Sequence, residues 1–147
     1  ETLTGECARF CSGTLDAASC PAGNSCRLYG NSVVAFCEAW CHPLAAECAN
    51  EACLWRPRTE RFACGQPGES EPGEACDGFD GCVADAACID EGLVADCPDG
   101  ESSCCAAWCD LDEEPDPCSV DAACTPWFEV GEAPPGFENL GICAAPP

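Results

Sequence analysis

Nineteen of the 147 residues are cysteine, and no two of them are separated by two residues. That spacing decides what the sulfur is for. Zinc ribbons and knuckles need C-x2-C pairs, because two intervening residues let both thiolates reach one ion. This chain has no such pair, a single histidine and no lysine to balance a thiolate cluster. The cysteines therefore predict disulfides. The set expected to pair is Cys7, Cys11, Cys20, Cys26, Cys37, Cys41, Cys48, Cys53, Cys64, Cys76, Cys82, Cys88, Cys97, Cys105, Cys109, Cys118, Cys124 and Cys143.

Covalent staples answer a deficit. Leu, Ile, Val and Phe make up about 15% of the residues, and the formal charge is −22. Fewer than about 20% large apolar residues with a high net charge is the composition of a disordered chain. The 47% hydrophobic content is carried mostly by alanine and cysteine, which bury little area each. One disulfide contributes about 2–4 kcal/mol, so nine supply on the order of 20 kcal/mol after discounting nested loops. That offsets chain entropy that four Trp and six Phe would not offset alone.

The cysteines also recur in pattern. Cys37-Glu-Ala-Trp-Cys41 matches Cys105-Ala-Ala-Trp-Cys109. Downstream, Cys48-x4-Cys53-Leu-Trp55 matches Cys118-x5-Cys124-Thr-Pro-Trp127, and each half closes on one more cysteine, Cys64 and Cys143. Gln66-Pro-Gly-Glu-Ser-Glu-Pro-Gly73 lies between the halves and reads as a turn-rich linker. The expected fold class is small and disulfide-rich. Its expected organisation is two tandem homologous modules, residues 5–65 and 73–144, joined by a linker at 66–72. Mostly loops are expected, with short strands at Ser32–Phe36, Phe62–Cys64, Leu93–Ala95 and Leu140–Cys143. Short helices are expected at Pro43–Cys53 and Pro117–Cys124, each opening on proline. Trp40 and Trp108 occupy equivalent positions, as do Trp55 and Trp127, which predicts packing roles for all four.

An odd count leaves one cysteine over. Repeat two has the extra one, Cys104 beside Cys105, so Cys104 is the candidate for an unpaired or intermolecular thiol. Alternatively Cys104 pairs within its repeat, and repeat one keeps the orphan.

Charge excludes some functions. Residues 1–67 hold all five arginines and seven acids; residues 68–147 hold twenty acids and no Lys, Arg or His. Nucleic acid and anionic lipid both need clustered cations, so neither is an expected partner. Asp110, Asp112, Glu114 and Asp116 stand at alternate positions, the spacing of a calcium loop, and calcium is the one cofactor the residues suggest. Pro115 stands where an EF-hand needs Gly, so any such site is not an EF-hand. His42 follows Cys37-x3-Cys41, a spacing variant of a covalent haem motif, but repeat two has Asp110 there and the chain has no Met for an axial ligand. One histidine is also a thin supply for hydrolytic catalysis, and no enzyme is expected.

Disulfides predict an oxidising setting, secreted or on a cell surface. Glu1 opens a polar stretch, which reads as a mature chain whose export signal was removed. No apolar run approaches the ~20 residues of a membrane span, so no membrane insertion is expected.

Repeat two resembles a known kind of module. Its marks are the vicinal Cys104-Cys105, the Cys109-Asp-Leu, the Pro126-Trp-Phe and the Pro134-Pro-Gly-Phe-Glu before Cys143. They are similar to a cysteine-rich repeat of secreted proteins and lipoproteins of myxobacteria and related bacteria. The resemblance implies an outer-surface setting and brings no activity. The expected function is a non-enzymatic, stapled structural or interaction protein: a surface, appendage or accessory component with a protein partner, self-assembly included. The second reading is a calcium-dependent adhesion module using the acidic half.

Overall fold

The computed structural model describes residues 9–13, 19–20, 24–28, 35–45, 47–48, 51–57 and 60–146. Among the described residues the regular structure is eight short strands arranged as antiparallel pairs and a 3-10 turn at Glu91–Leu93. Cysteine organises them. β1 (Asn24–Leu28) and β2 (Ala35–Ala39) set Cys26 opposite Cys37. β3 (Ala52–Arg56) and β4 (Arg61–Gly65) set Cys53 opposite Cys64. β5 (Ala86–Asp90) and β6 (Ser103–Asp110) set Cys88 opposite Cys105. β7 (Ala123–Pro126) and β8 (Leu140–Ala144) set Cys124 opposite Cys143.

Opposed residues of an antiparallel pair project from the same face. In every hairpin these two cysteines bond not each other but two cysteines upstream. The bridges are Cys11–Cys26 with Cys20–Cys37, and Cys41–Cys53 with Cys48–Cys64. Then come Cys76–Cys88 with Cys82–Cys105, and Cys109–Cys124 with Cys118–Cys143. First pairs with third and second with fourth, four times over. The two bridges of each hairpin pack together, with three of their sulfurs within 4.8 Å of one another. An isolated two-stranded hairpin is marginal in water; here a pair of bridges takes the place of a hydrophobic face.

The ninth bridge, Cys97–Cys104, lies outside this pattern and corrects the expectation that Cys104 is the spare thiol. Neighbours along a strand point to opposite faces. Cys105 therefore reaches Cys82 on one side of β6 while Cys104, fully buried, reaches Cys97 on the other. Nine bridges use eighteen of the nineteen cysteines; the remaining one is Cys7, outside the described residues.

The chain divides into two compact units, residues 1–40 and 41–147. In the first, Phe10 stacks on Phe36 with ring centroids 5.0 Å apart, and Cys11 N–H donates to Ala35 C=O. Trp40 is half-buried.

In the second unit the sheet order is β5-β6-β8-β7, antiparallel throughout. β6 is the pivot: its first half pairs with β5 and its last three residues with β8. It carries Cys105, which completes one hairpin, and Cys109, which begins the next. Both of its faces are covered, so its burial is nearly continuous from Cys104 to Cys109. Above it sits an aromatic cluster. Phe62 on β4 stacks on Phe137 at 5.5 Å and meets Trp108 edge-on at 5.4 Å. Trp55 meets Phe62 at 5.0 Å and Trp127 at 5.5 Å, and Trp127 meets Trp108 at 4.8 Å. Edge-to-face pairs of this kind contribute about 0.5–1.5 kcal/mol each beyond their burial. Trp55 and Trp127, placed alike in the sequence, thus touch each other.

The 66–72 stretch, expected as a linker, lies within this unit and is hydrogen-bonded into it. Gly68 N–H donates to Cys82 C=O, Ser70 N–H to Gly81 C=O, and Val83 N–H to Ser70 C=O. Gly68 comes so close to Gly81 that a Cβ on it would overlap the Gly81 carbonyl.

Both expected helices are corrected. Residues 43–45 form a turn and Ala52 and Cys53 open β3, residues 46, 49 and 50 lying outside the described set; residues 117–122 are irregular with a turn at 120–121, and Ala123 opens β7. Helix propensity differs by at most about 0.7 kcal/mol per ordinary residue, and a bridge contributes about 2–4 kcal/mol. The bridges need Cys53 and Cys124 in extended strands. The expected strands at Phe62–Cys64 and Leu140–Cys143 are present as β4 and β8. The expected strand at Ser32–Phe36 overlaps β2 (Ala35–Ala39) at Ala35 and Phe36; residues 32–34 lie outside the described residues. Leu93–Ala95 is no strand, since the 3-10 turn ends there with Val94 N–H on Glu91 C=O.

Gly141 on β8 gives a local test of sulfur packing. A Cβ there would lie 2.6 Å from Cys124 Sγ, 2.9 Å from the Thr125 carbonyl and 3.1 Å from Cys109 Sγ. Gly141→Ala is expected to lose about 1–3 kcal/mol through overpacking. Chemical denaturation reads this directly, and an unchanged midpoint would contradict the packing described.

Candidate functional site

His42 and two acids of the candidate calcium loop are committed to structure. His42 follows the Cys41 bridge; its backbone N–H donates to Glu47 Oε2 at 2.8 Å, its Nδ1 accepts the Leu44 N–H at 3.2 Å, and its ring stacks on Phe137 at 4.7 Å. The only histidine is thus a turn-closing and packing residue.

The four acids of the candidate calcium loop occupy the end of β6 and the segment after it. Asp110 Oδ1 accepts the Asp112 N–H and the Asn139 side-chain amide, both at 2.9 Å. Asp116 accepts the Cys118 N–H at 2.9 Å through Oδ1 and the Cys124 N–H at 3.2 Å through Oδ2. Asp112 and Glu114 are exposed. Two of the four carboxylates are therefore turn caps. Among the described residues the groups of three potential ligands that converge within 4.8 Å are all cysteines already in disulfides. Asp116→Ala removes two charge-assisted bonds that hold Cys118 beside β7, and is expected to cost about 1–3 kcal/mol. Millimolar calcium is expected to leave the melting temperature within about one degree, because a ligand that binds only the folded state raises it. A calcium-dependent rise of several degrees, lost in Asp116→Ala, would show that these acids bind metal.

What the fold displays is carboxylate. Of the twenty acids in residues 68–147, nineteen are exposed and Asp110 is half-buried. Residues 41–147 hold twenty-three acids against three arginines, a net −20 of the −22. Of those arginines, Arg61 is buried at 6% exposure and Arg56 lies over the Phe79 ring, 4.8 Å from its centroid.

One cleft of about 190 Å3 lies on the second unit. It is lined by β6 at Cys105–Ala107, by a wall at Val94–Asp96, by Pro117–Ser119 with Ala122, and by Pro72 and Gly73. The irregular parts of the disulfide pattern build it. The interval from Cys88 to Cys105 is longer than that from Cys53 to Cys64, and the added residues form the 3-10 turn and the Val94–Asp96 wall. Cys97–Cys104 and the Ala145 N–H on Leu93 C=O pin that wall. Sequence reasoning missed the cleft; the unequal cysteine intervals were the available signal.

No family model, curated protein or solved structure matches this chain. Among the described residues no helix is long and apolar enough to cross a membrane. Nine disulfides in a chain this short define the class: a small disulfide-rich protein suited to an oxidising, extracellular environment.

Proposed function

We propose that this chain is a non-enzymatic extracellular protein that acts by contact with a basic protein partner. The observation that carries the reading is the display of nineteen exposed carboxylates in residues 68–147, with no cation among those residues. They stand on a frame whose loops are tied down by bridges, so binding costs little ordering entropy. A net −20 on residues 41–147 opposes packing against copies of itself and favours a partner of opposite sign. The secreted myxobacterial modules that repeat two resembles suggest an outer-surface setting.

The test is association kinetics with basic and acidic test proteins at about 20 and 500 mM salt. Fast association with the basic set, falling steeply with salt, is the expected result. Equal binding to both sets, or self-association in preference to either, would overturn the reading.

A further inference from the structure

We infer that the cleft beside β6 receives a single lysine or arginine side chain of a basic partner; this rests on the contact function proposed above and names its focus. The volume decides the kind of occupant. About 190 Å3 is below the roughly 300–1,000 Å3 of small-molecule and cofactor pockets. It suits one long side chain. The lining suits that side chain in order. Val94, Ala106, Pro117 and Ala122 supply apolar lining, and Asp96 is the one acid among the lining residues. Lysine and arginine have this composition, an aliphatic stem ending in a cation.

Asp96 is available for such a cation. It is exposed, and among the described residues it takes part in no hydrogen bond or ion pair. Residues 68–147 contain no Lys, Arg or His to compete for it. Acids flank the walls in sequence as well: Glu74 follows Gly73, Asp116 precedes Pro117 and Asp121 precedes Ala122. Their field concentrates cations at the mouth before any contact forms. The wall that carries Asp96 is also held from both ends, by Cys97–Cys104 and by the Ala145–Leu93 hydrogen bond. The slot is therefore preformed, and closing it onto a guest requires no loop ordering.

The probe is acetyl-Gly-Gly-Lys-Gly-Gly-amide, titrated into the nitrogen-labelled full chain at low salt and followed by amide chemical shifts. A norleucine peptide is the uncharged control. Saturable shifts are expected at Ala95, Asp96, Ala106 and Ser119 with the lysine peptide and not with the control. Asp96→Asn is expected to weaken binding about fivefold, the fold-change of a partly screened ion pair, whereas Glu129→Gln, away from the cleft, is expected to leave it unchanged. Ser119→Phe fills the slot without removing charge and is expected to abolish the shifts while the rest of the spectrum keeps its dispersion. Shifts scattered over the acidic surface, an equal effect of Asp96→Asn and Glu129→Gln, or undiminished binding by Ser119→Phe would each overturn the cleft assignment and leave the acidic-contact reading standing. No salt-sensitive shift anywhere would overturn both.

Discussion

Complete reduction, with the thiols then blocked, is expected to leave an unfolded chain. Nine bridges contribute on the order of 20 kcal/mol, against a typical net stability of about 5–15 kcal/mol for a folded domain. The remaining core is too small to compensate. Among the described residues its largest fully buried side chains are Phe62, Leu54 and Leu140, followed only by cysteines. With −22 of charge repelling itself, the reduced chain falls in the compositional range of disorder. Near-ultraviolet circular dichroism is the decisive reading, because Trp55, Trp108 and Trp127 meet edge to face at 5.5 and 4.8 Å. That signal is expected to vanish on reduction and tryptophan emission to shift to the red. A reduced, blocked chain that kept its aromatic signal would mean that apolar packing, not sulfur, holds the fold.

The second large effect concerns the aromatic cluster around Phe62. Phe62→Ala is expected to cost about 3–5 kcal/mol, the range for deleting a buried aromatic ring. Phe62 is 0% exposed and touches Trp55, Trp108 and Phe137. Its loss opens a cavity that bridged strands on both sides keep from collapsing. Phe79→Ala is the control: Phe79 is 38% exposed and among the described residues its ring contact is the Arg56 guanidinium, worth about 0.5–1 kcal/mol. Urea denaturation of both variants under non-reducing conditions separates them. Comparable losses would mean that the cluster is not a cooperative core.

The covalent character of the fold was legible in the sequence because cysteine number and the absence of C-x2-C leave sulfur little else to do. β4 and β8 were legible too, since Phe62–Cys64 and Leu140–Cys143 are short apolar runs bounded by turns. The crossed pairing was not, because spacing does not determine connectivity. Pro43–Cys53 and Pro117–Cys124 misled for a related reason: their helix-forming residues carry the cysteines that the bridges draw into strands. By order along the two repeats Cys104 is the extra cysteine. On a strand it faces away from Cys105 and needs a staple of its own, Cys97. Of the site, the carboxylate excess was visible in composition. The caps made by Asp110 and Asp116 were not, because alternate spacing cannot distinguish acids aimed at a metal from acids aimed at backbone N–H groups. The cleft depends on where the Val94–Asp96 segment is pinned, and only the fold reveals that.

Crossed pairs of bridges, first to third and second to fourth, build the rigid frame that presents this acidic surface. Disulfide mapping of the native protein tests it most directly. Glu47, Glu51 and Glu60 separate Cys41, Cys48, Cys53 and Cys64, so cleavage after glutamate under non-reducing conditions places each on its own peptide. Peptide pairs joining Cys41 to Cys53 and Cys48 to Cys64 are the predicted result. Pairs joining Cys53 to Cys64 and Cys41 to Cys48 would contradict it, because the hairpin would then be tied to itself and the segment before it left unanchored.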